Sequence, residues 1–312
     1  MKPIPRVGFG GASIGNLYRE VSDADAHSTL AAAWDSGIRM YDTAPHYGLG
    51  LSERRIGAFL STRPRDDYLI STKVGRVLVP DPDFGGERDL AHGFDVPADQ
   101  VRVFDPSAAG IRRSLENSLN RLGLDRVDIL YLHDPDAYDV DRGLAEGLPA
   151  LAALRDEGLV DLIGIGTNSA ETAARAVREH ELDLVMIAGR YTLLDRSAAT
   201  ELLPLCGERG VGVVAVGVYN SGLLATETPG GMFDYQPASD EWVARARRLA
   251  EICSEFGVGL PIAAVQFPLR HPSVIAEIIG MANPKHLHQT TERLAAEVPD
   301  ELWRRLDEAV MA

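Results

Sequence analysis

The chain has 312 residues, of which 45% are hydrophobic and 25% charged, a composition typical of a globular protein large enough to bury a substantial core. Its formal net charge of −15 argues against nucleic acid and against an anionic membrane surface as partners, because both are bound through clustered Lys and Arg. The N-terminus lacks the apolar core of a signal peptide, and no segment is long and apolar enough to span a bilayer, so we predict a cytoplasmic protein.

Short apolar segments alternate with amphipathic segments along nearly the whole chain. Most of the apolar segments are continuously hydrophobic, a pattern typical of parallel strands that are covered on both faces. They predict eight strands, over residues 6–11, 38–43, 68–74, 127–133, 162–168, 184–190, 212–218 and 274–280.

The amphipathic segments predict helices between these strands. The clearest begins at Asp105 and Pro106, which we interpret as the N-cap and a first-turn proline, and ends at Gly123. Similar patterns occur in residues 143–158 and 241–257. The apolar stripe of the clearest helix consists of Ile111, Leu115, Leu119 and Leu122.

Eight strand–helix units without an interrupting linker favour a parallel eight-stranded (β/α)₈ TIM barrel, which would form one domain over residues 1–312. A doubly wound dinucleotide fold should carry G-x-G-x-x-G after its first strand. Gly8 and Gly10 begin that pattern, but Ser13 stands where the third glycine belongs. A long loop is expected at about 75–105, and loops of that length in compact domains are often lids or binding loops.

Polar residues occur at the predicted carboxyl ends of several strands, where barrels of this type carry their active sites. Asp42 follows the second strand, Lys73 lies near the end of the third and His133 closes the fourth. Tyr47 lies in the loop just beyond Asp42. Each residue alone has an ordinary structural explanation, but together on one rim they indicate a catalytic set.

The chemistry of this set is specific. A tyrosine hydroxyl has an ordinary pKa of about 10, which a neighbouring Lys ammonium lowers by stabilising the phenolate. Asp42 would hold Lys73 in place, and His133 would orient the oxygen whose charge changes. The set predicts a proton relay for the interconversion of a carbonyl and an alcohol, with Tyr47 as the proton carrier.

The chain resembles the aldo-keto reductases in the motifs YDTAPHYG, STKVG, RRSLENSLNRLGLDRVDILYLHDPD, IGIGTN and YNSGLLA, which together extend over nearly its whole length. The resemblance implies an NAD(P)-dependent oxidoreductase that moves a hydride between a nicotinamide cofactor and a carbonyl or alcohol. Within the family, LGLDRVDILYLHDPD, AGRYTLLDR and VYNSGLLA are similar to the aldose dehydrogenase group. Members and relatives of that group act on L-fucose, D-threo-aldoses, L-galactose or pyridoxal.

The resemblance also implies a set of cofactor contacts. Thr167 and Asn168 match the place that holds the nicotinamide carboxamide, and Tyr191 matches the tyrosine of the sixth-strand motif. Ala188 replaces the glutamine that usually joins them, and Val216 replaces a stacking aromatic residue. The pyrophosphate is expected along the segment after the seventh strand, at Gly217, Asn220, Ser221, Gly222 and Leu223.

The residues after the eighth strand predict the choice of dinucleotide. Relatives that prefer NADPH carry a Lys and an Arg there to pair with the adenosine 2′-phosphate, and this chain has Gly280 and His286 instead. Because Arg is suited to bidentate capture of a phosphate, its absence favours NAD. Lys285 is adjacent and leaves NADP open as an alternative.

The substrate is expected to be a small molecule, a sugar or an aromatic aldehyde or alcohol. The first expectation is oxidation of an aldose at C1 to its lactone, with pyridoxal 4-dehydrogenase or general aldehyde reductase activity as alternatives. Asp134 and Asp136 are candidates for binding sugar hydroxyls or for beginning a turn. The candidate walls of the substrate site are Phe84, His92 and Phe94 in the long loop and Tyr219, Met232, Phe233 and Tyr235 after the seventh strand.

Other classes of function remain as alternatives. A cofactor-sensing binding module of the same family would bind dinucleotide with little turnover. The segment GASIG around Ser13 matches the G-x-S-x-G of serine hydrolases, but it follows a single strand rather than an inner strand of a formed sheet. A metal-dependent hydrolase using Asp42, His133 and Asp134 lacks a paired-histidine ligand motif, so we predict no metal. The sequence leaves a homo-oligomer open.

Overall fold

The eight predicted barrel strands are all present in the computed structural model, which describes residues 2–311. They form a closed parallel barrel in chain order, in which the last strand pairs with the first. The predicted (β/α)₈ barrel is therefore confirmed, and the strand boundaries lie within about two residues of the prediction. The strands are β1 (Val7–Gly10), β2 (Met40–Asp42), β3 (Leu69–Val74), β4 (Arg76–Pro80), β5 (Gln100–Phe104), β6 (Val127–His133), β7 (Val160–Thr167), β8 (Leu184–Ala188), β9 (Gly212–Val216), β10 (Met232–Phe233), β11 (Gln236–Pro237) and β12 (Val274–Gly280).

Helices cover the outside of the barrel. Several begin at a serine whose hydroxyl accepts a first-turn amide, for example Ser22 and Ser169. The prediction that Asp105 caps the third helix was wrong: Ser107 is the N-cap, and Asp105 accepts a hydrogen bond from the Ser107 hydroxyl at 2.6 Å. The predicted end of that helix at Gly123 is confirmed by a left-handed φ of 67°. The helices are α1 (Asp23–Asp35), α2 (Leu51–Leu60), α3 (Ala108–Leu122), α4 (Val140–Arg142), α5 (Leu148–Asp156), α6 (Ala170–Glu179), α7 (Leu202–Arg209), α8 (Asp240–Glu255), α9 (Leu260–Gln266), α10 (Pro284–Ala295) and α11 (Asp300–Met311).

The two-residue alternation of each strand decides which side chains face the barrel interior. In β3, Leu69 packs in the interior, so Ser71 and Lys73 face the same way. Ile70 and Val74 pack instead against the helix layer. An apolar layer fills the interior of the barrel, consisting of Met40, Leu69, Ile129, Tyr131, Leu162, Leu184, Met186, Val214, Ala276 and Ile278.

The segment predicted as a loop at about 75–105 is more ordered than expected. Strands β4 and β5 pair antiparallel through five residue pairs, from Arg76 opposite Phe104 to Pro80 opposite Gln100. We call this unit, residues 76–104, the hairpin. A second, shorter antiparallel pair, β10–β11, follows β9. Both pairs lie outside the barrel and follow the carboxyl ends of barrel strands, where they contribute residues to the site described below.

Among the described residues, no single helix is long and apolar enough to cross a membrane. Within residues 2–311, α8 and α9 reach that length and composition as a pair, and the two helices are bent by 102° relative to each other.

Candidate active site

Lys73 lies at the centre of the predicted catalytic set. Its ammonium donates hydrogen bonds to the Asp42 carboxylate at 2.6 Å, to the Thr43 carbonyl at 3.0 Å and to the Tyr47 phenolic oxygen at 3.1 Å. All three donors of the ammonium are therefore used. The other oxygen of Asp42 accepts a hydrogen bond from the Ser71 hydroxyl at 2.7 Å. The structure thus brings Asp42, Lys73 and Tyr47 together.

Burial and charge act in opposite directions on these groups. Burial alone would lower the pKa of Lys73, but Asp42 and Tyr47 raise it above its ordinary value, so the ammonium stays charged. Burial raises the pKa of the Tyr47 phenol, and Lys73 opposes this effect. Lys73 thus acts in the predicted direction, but burial together with the Asp42 charge outweighs the ammonium, so the pKa of Tyr47 lies above its ordinary value.

His133 joins the set from the end of β6. Its ring lies 6.1 Å from the Tyr47 ring, centroid to centroid, and perpendicular to it. Burial, followed by the charges of Arg76 and Lys73, holds the pKa of His133 well below its ordinary value, so the imidazole is neutral at physiological pH. A second imidazole, that of His46, lies 5.7 Å from His133, and burial lowers its pKa to about 2.

His46, Tyr47, Lys73 and His133 line a cavity of about 540 Å³ at the carboxyl end of the barrel. Aromatic and apolar side chains form much of its wall, and Asp134, Asn168 and Gln236 add polar groups. Among the residues expected to form walls, His92, Phe94, Met232 and Tyr235 line it. Phe84, Tyr219 and Phe233 do not: Phe84 is exposed, Tyr219 contacts Arg293, and Phe233 stacks on Trp242. Within residues 2–311, no three His, Cys, Asp or Glu side chains are grouped so that they could hold a metal ion.

Comparisons with known proteins agree with this geometry. The sequence profile of the Aldo/keto reductase family matches residues 6–311. A D-threo-aldose 1-dehydrogenase from a Pseudomonas species is 51% identical, over 98% of this chain and 94% of the relative. The chain belongs to the aldo-keto reductase family. As an aldo-keto reductase, it is an NAD(P)-dependent oxidoreductase that acts on small molecules.

Two further similarities support the family assignment. A pyridoxal 4-dehydrogenase from Microbacterium luteolum is 39% identical, over 97% of this chain and 93% of the relative. The solved structure of an aldo-keto reductase from Bacillus halodurans superposes with a TM-score of 0.78 at 25% identity, over 97% of this chain and 91% of that one.

Two of the residues predicted to contact the nicotinamide in this aldo-keto reductase lie at the cavity. Asn168 and Thr167 line it. The Thr167 hydroxyl is already engaged, since it donates to Asp136 and accepts from the Ser169 amide. The backbone carbonyl of Asn168 is fixed by Arg190, which donates to it at 2.7 Å.

Tyr191 is placed away from the cavity. Its ring packs against Phe267 at 5.1 Å and against His271 at 5.6 Å, and it is 8% exposed. The preceding Gly189 has a φ of 68°, and the chain turns there so that Arg190 faces Asn168 while Tyr191 enters the helix layer. This position does not support the predicted cofactor contact for Tyr191.

The segment expected to bind the pyrophosphate forms a tight turn after β9. The amides of Asn220, Gly222 and Leu223 donate to carbonyls within the turn, so in this conformation they are not available to a phosphate. The Ser221 hydroxyl accepts from the Tyr235 amide at 3.0 Å. A Cβ added to Gly217 would lie 3.2 Å from the Gly189 nitrogen, and the φ of Gly217 is 65°, so only glycine fits there easily.

Gly280 and His286 lie at the end of β12 and in the first turn of α10. The amide of His286 donates to Asn283, the N-cap of α10. Burial lowers the pKa of His286, and the charges of Arg19, Arg293 and Lys285 lower it further. The sequence had indicated only Lys285 of these three cations, because Arg19 comes from the loop after β1.

The residues present fit a nicotinamide dinucleotide. The buried Oδ1 atom of Asn220 has no hydrogen-bond partner within residues 2–311. At Gly222 no atom lies within 4 Å of where a Cβ would be, and at Gly280 the nearest is the Ser13 hydroxyl at 3.4 Å. The side chains of Asn168, Asn220 and Ser221 would hold the cofactor, and Gly222 and Gly280 leave room for its close approach.

Proposed function

We propose that the protein oxidises an aldose at C1 to the corresponding lactone, with Tyr47 as the catalytic base and NAD as the cofactor. The observation that carries the proposal is the Lys73 ammonium, which donates to both Asp42 and Tyr47 beside the cavity. The proposed substrate class is supported by the 51% identical relative named D-threo-aldose 1-dehydrogenase. The location in the cytoplasm and a homo-oligomeric state stay predictions.

The proposed mechanism assigns one task to each residue. The bound cofactor supplies the oxidised nicotinamide that accepts the hydride from C1. The Tyr47 phenolate takes the proton of the C1 hydroxyl, and Lys73 stabilises the phenolate before that transfer. Asp42, which is 3% exposed, holds Lys73 in position and offsets its charge. The neutral His133 donates or accepts a hydrogen bond at the C1 oxygen without competing for the proton.

The preference for NAD rests on the residues around the proposed adenosine site. Gly280 and His286 offer no permanent positive charge to a 2′-phosphate. Arg293 is engaged with the Tyr219 hydroxyl and the Ala225 carbonyl, both at 3.2 Å. Arg19 and Lys285 are then the cations available for a 2′-phosphate, and their alanine variants should impair only the use of NADP.

Oxidation or reduction of an aromatic carbonyl is the second candidate function. Phe94 and Tyr235 line the cavity together with His46, and these flat faces suit an aromatic ring. The 39% identical relative is named pyridoxal 4-dehydrogenase. General aldehyde reduction is compatible with the same wall. A cofactor-sensing module would show dinucleotide binding with negligible steady-state turnover.

A substrate panel separates these proposals. D-arabinose, L-fucose, pyridoxal and benzaldehyde should each be assayed with NAD(H) and NADP(H) by absorbance of the reduced nicotinamide. The aldose proposal expects higher kcat/KM with the two sugars and NAD than with any other pair. Higher kcat/KM with pyridoxal would favour the second candidate, and a strong preference for NADP would contradict the argument from Gly280 and His286.

A further inference from the structure

The residue directly after His133 has an unusual backbone conformation. Asp134 has φ 40° and ψ 61°, in the left-handed region that side chains other than glycine, asparagine and aspartate rarely adopt. Its amide still continues the barrel ladder by donating to the Gly166 carbonyl at 2.8 Å. The turn places the carboxylate at the wall of the cavity, where the side chain is 17% exposed.

The hairpin fixes this carboxylate from the other side. Arg76 donates to one Asp134 oxygen at 2.6 Å, and the Arg76 side chain is 7% exposed. The Arg76 guanidinium lies 5.2 Å from the centroid of the Tyr138 ring, which stacks on Phe104 at 4.8 Å. Phe104 is also the backbone partner of Arg76 in the hairpin. The carboxylate is therefore held by a side chain whose guanidinium packs against the Tyr138 ring, which Phe104 supports in turn.

The hydrogen-bonding capacity of Asp134 is not exhausted by these contacts. An ionised carboxylate has about four acceptor sites. Arg76 uses one, the Asn168 amide lies at 3.5 Å from the other oxygen, and His133 Nε2 lies 3.4 Å from the first. With respect to residues 2–311, Asp134 thus keeps free acceptor sites in the cavity wall, next to the imidazole that is proposed to bind the reacting oxygen.

The free acceptor sites of Asp134 favour substrates that carry hydroxyl groups. A ligand without hydroxyl groups would desolvate the carboxylate and leave its acceptor sites unpaired, which is costly. A hydroxyl on the carbon next to the reacting one would donate to them while the reacting oxygen lies between Tyr47 and His133. An acceptor that is rigid before binding loses little entropy when it forms that bond.

We propose that Asp134, positioned by Arg76, accepts a hydrogen bond from the C2 hydroxyl of the sugar and so determines the preference for hydroxylated substrates. This inference rests on the proposed function, because it concerns the substrate of the same site. It assigns Asp134 to substrate recognition and Arg76 to positioning.

A matched pair of sugars tests the inference, because 2-deoxy-D-ribose is D-arabinose without the C2 hydroxyl. The wild-type protein should prefer D-arabinose by about tenfold or more in kcat/KM. In Asp134→Gly, which tolerates the left-handed backbone, KM for D-arabinose should rise by about tenfold with a smaller change in kcat. The values for 2-deoxy-D-ribose should barely change. Comparing the ratio between variants removes the effect of the C2 hydroxyl on the reactivity of C1.

Further variants separate recognition from a structural role. Asp134→Asn keeps the shape and tolerates the same backbone, and should retain part of the preference through its amide oxygen. Asp156→Asn, an exposed carboxylate on α5, is the control and should match the wild type. Dissociation constants of the cofactor should be unchanged in all three variants. Asp134→Gly removes the partner of the buried Arg76 and should unfold at a lower temperature, so all variants are assayed below the onset of unfolding, as followed by circular dichroism.

The outcomes that overturn the inference are distinct. An undiminished preference for D-arabinose in Asp134→Gly would overturn it. If the dissociation constant of the cofactor also increased in that variant, Asp134 would act through Asn168 instead of through the sugar. Equal turnover of both pentoses by the wild type would overturn the inference alone. Absence of turnover with both pentoses would overturn the proposed function and the inference with it.

Discussion

At the scale of single residues, the proposed base is a phenol whose pKa depends on two opposing effects. Burial raises the pKa of Tyr47, whereas the Lys73 ammonium at 3.1 Å lowers it. The sequence predicted the contact, because strand ends place Asp42 and Lys73 on one rim. It did not predict the net direction, since burial of a loop side chain depends on the walls around it. His46 was also missed, although its place before Tyr47 in APHYG made it a candidate.

The raised pKa of Tyr47 makes a prediction for the pH dependence of oxidation. The phenolate is the reactive form, and below the pKa its fraction increases about tenfold per pH unit. We therefore expect kcat/KM for sugar oxidation to rise with pH up to at least pH 10, as measured from pH 6 to 11. In Lys73→Met the rise should shift to higher pH, because the charge that stabilises the phenolate is gone. A profile that falls above pH 7 would be incompatible with this role.

At the scale of secondary-structure elements, the eight barrel strands were predictable, whereas the two antiparallel pairs outside the barrel, β4–β5 and β10–β11, were not. Continuous apolar runs predicted all eight strands, because parallel strands buried on both faces need them. The hairpin at residues 76–104 escaped prediction, since β5 alternates between partly buried and exposed residues and the two strands pair only with each other, outside the barrel. The position of Tyr47 also depends on an element, because the Tyr47 carbonyl accepts from the Ser52 amide in the first turn of α2.

The packing of α2, the helix that follows Tyr47, can be tested where it lies close to α3. A Cβ on Gly57 would lie 2.3 Å from the Leu122 carbonyl oxygen, which is backbone and cannot rotate away. Gly57→Ala should lower the free energy of unfolding by about 1–3 kcal/mol, despite the higher helix propensity of alanine, as measured by urea denaturation. The control is Gly230→Ala, where no atom lies within 4 Å of the new Cβ. Equal stability of the two variants would show that the helices separate at little cost.

At the scale of the whole molecule, the site draws on elements that are distant in sequence. Lys73 comes from β3, His133 from β6, Asn168 from the end of β7 and the turn at residues 217–223 from the end of β9. A barrel gathers these strand ends on one face, so their order along the chain was enough to predict the catalytic set. The cation cluster around His286 was not predictable, because it depends on how the loop after β1 meets α10.

The central claim is that Tyr47 carries the proton, and the rate of hydride transfer in a single turnover tests it most directly. Tyr47→Phe keeps the ring and removes the hydroxyl that Lys73 contacts. With D-arabinose and NAD, this variant should form NADH about 10³-fold more slowly than the wild type, with an unchanged dissociation constant for NAD. Tyr68→Phe, in the helix layer beside Trp34, is the matched control and should react at the wild-type rate. Hydride transfer within about tenfold of the wild-type rate in Tyr47→Phe would contradict the proposed mechanism.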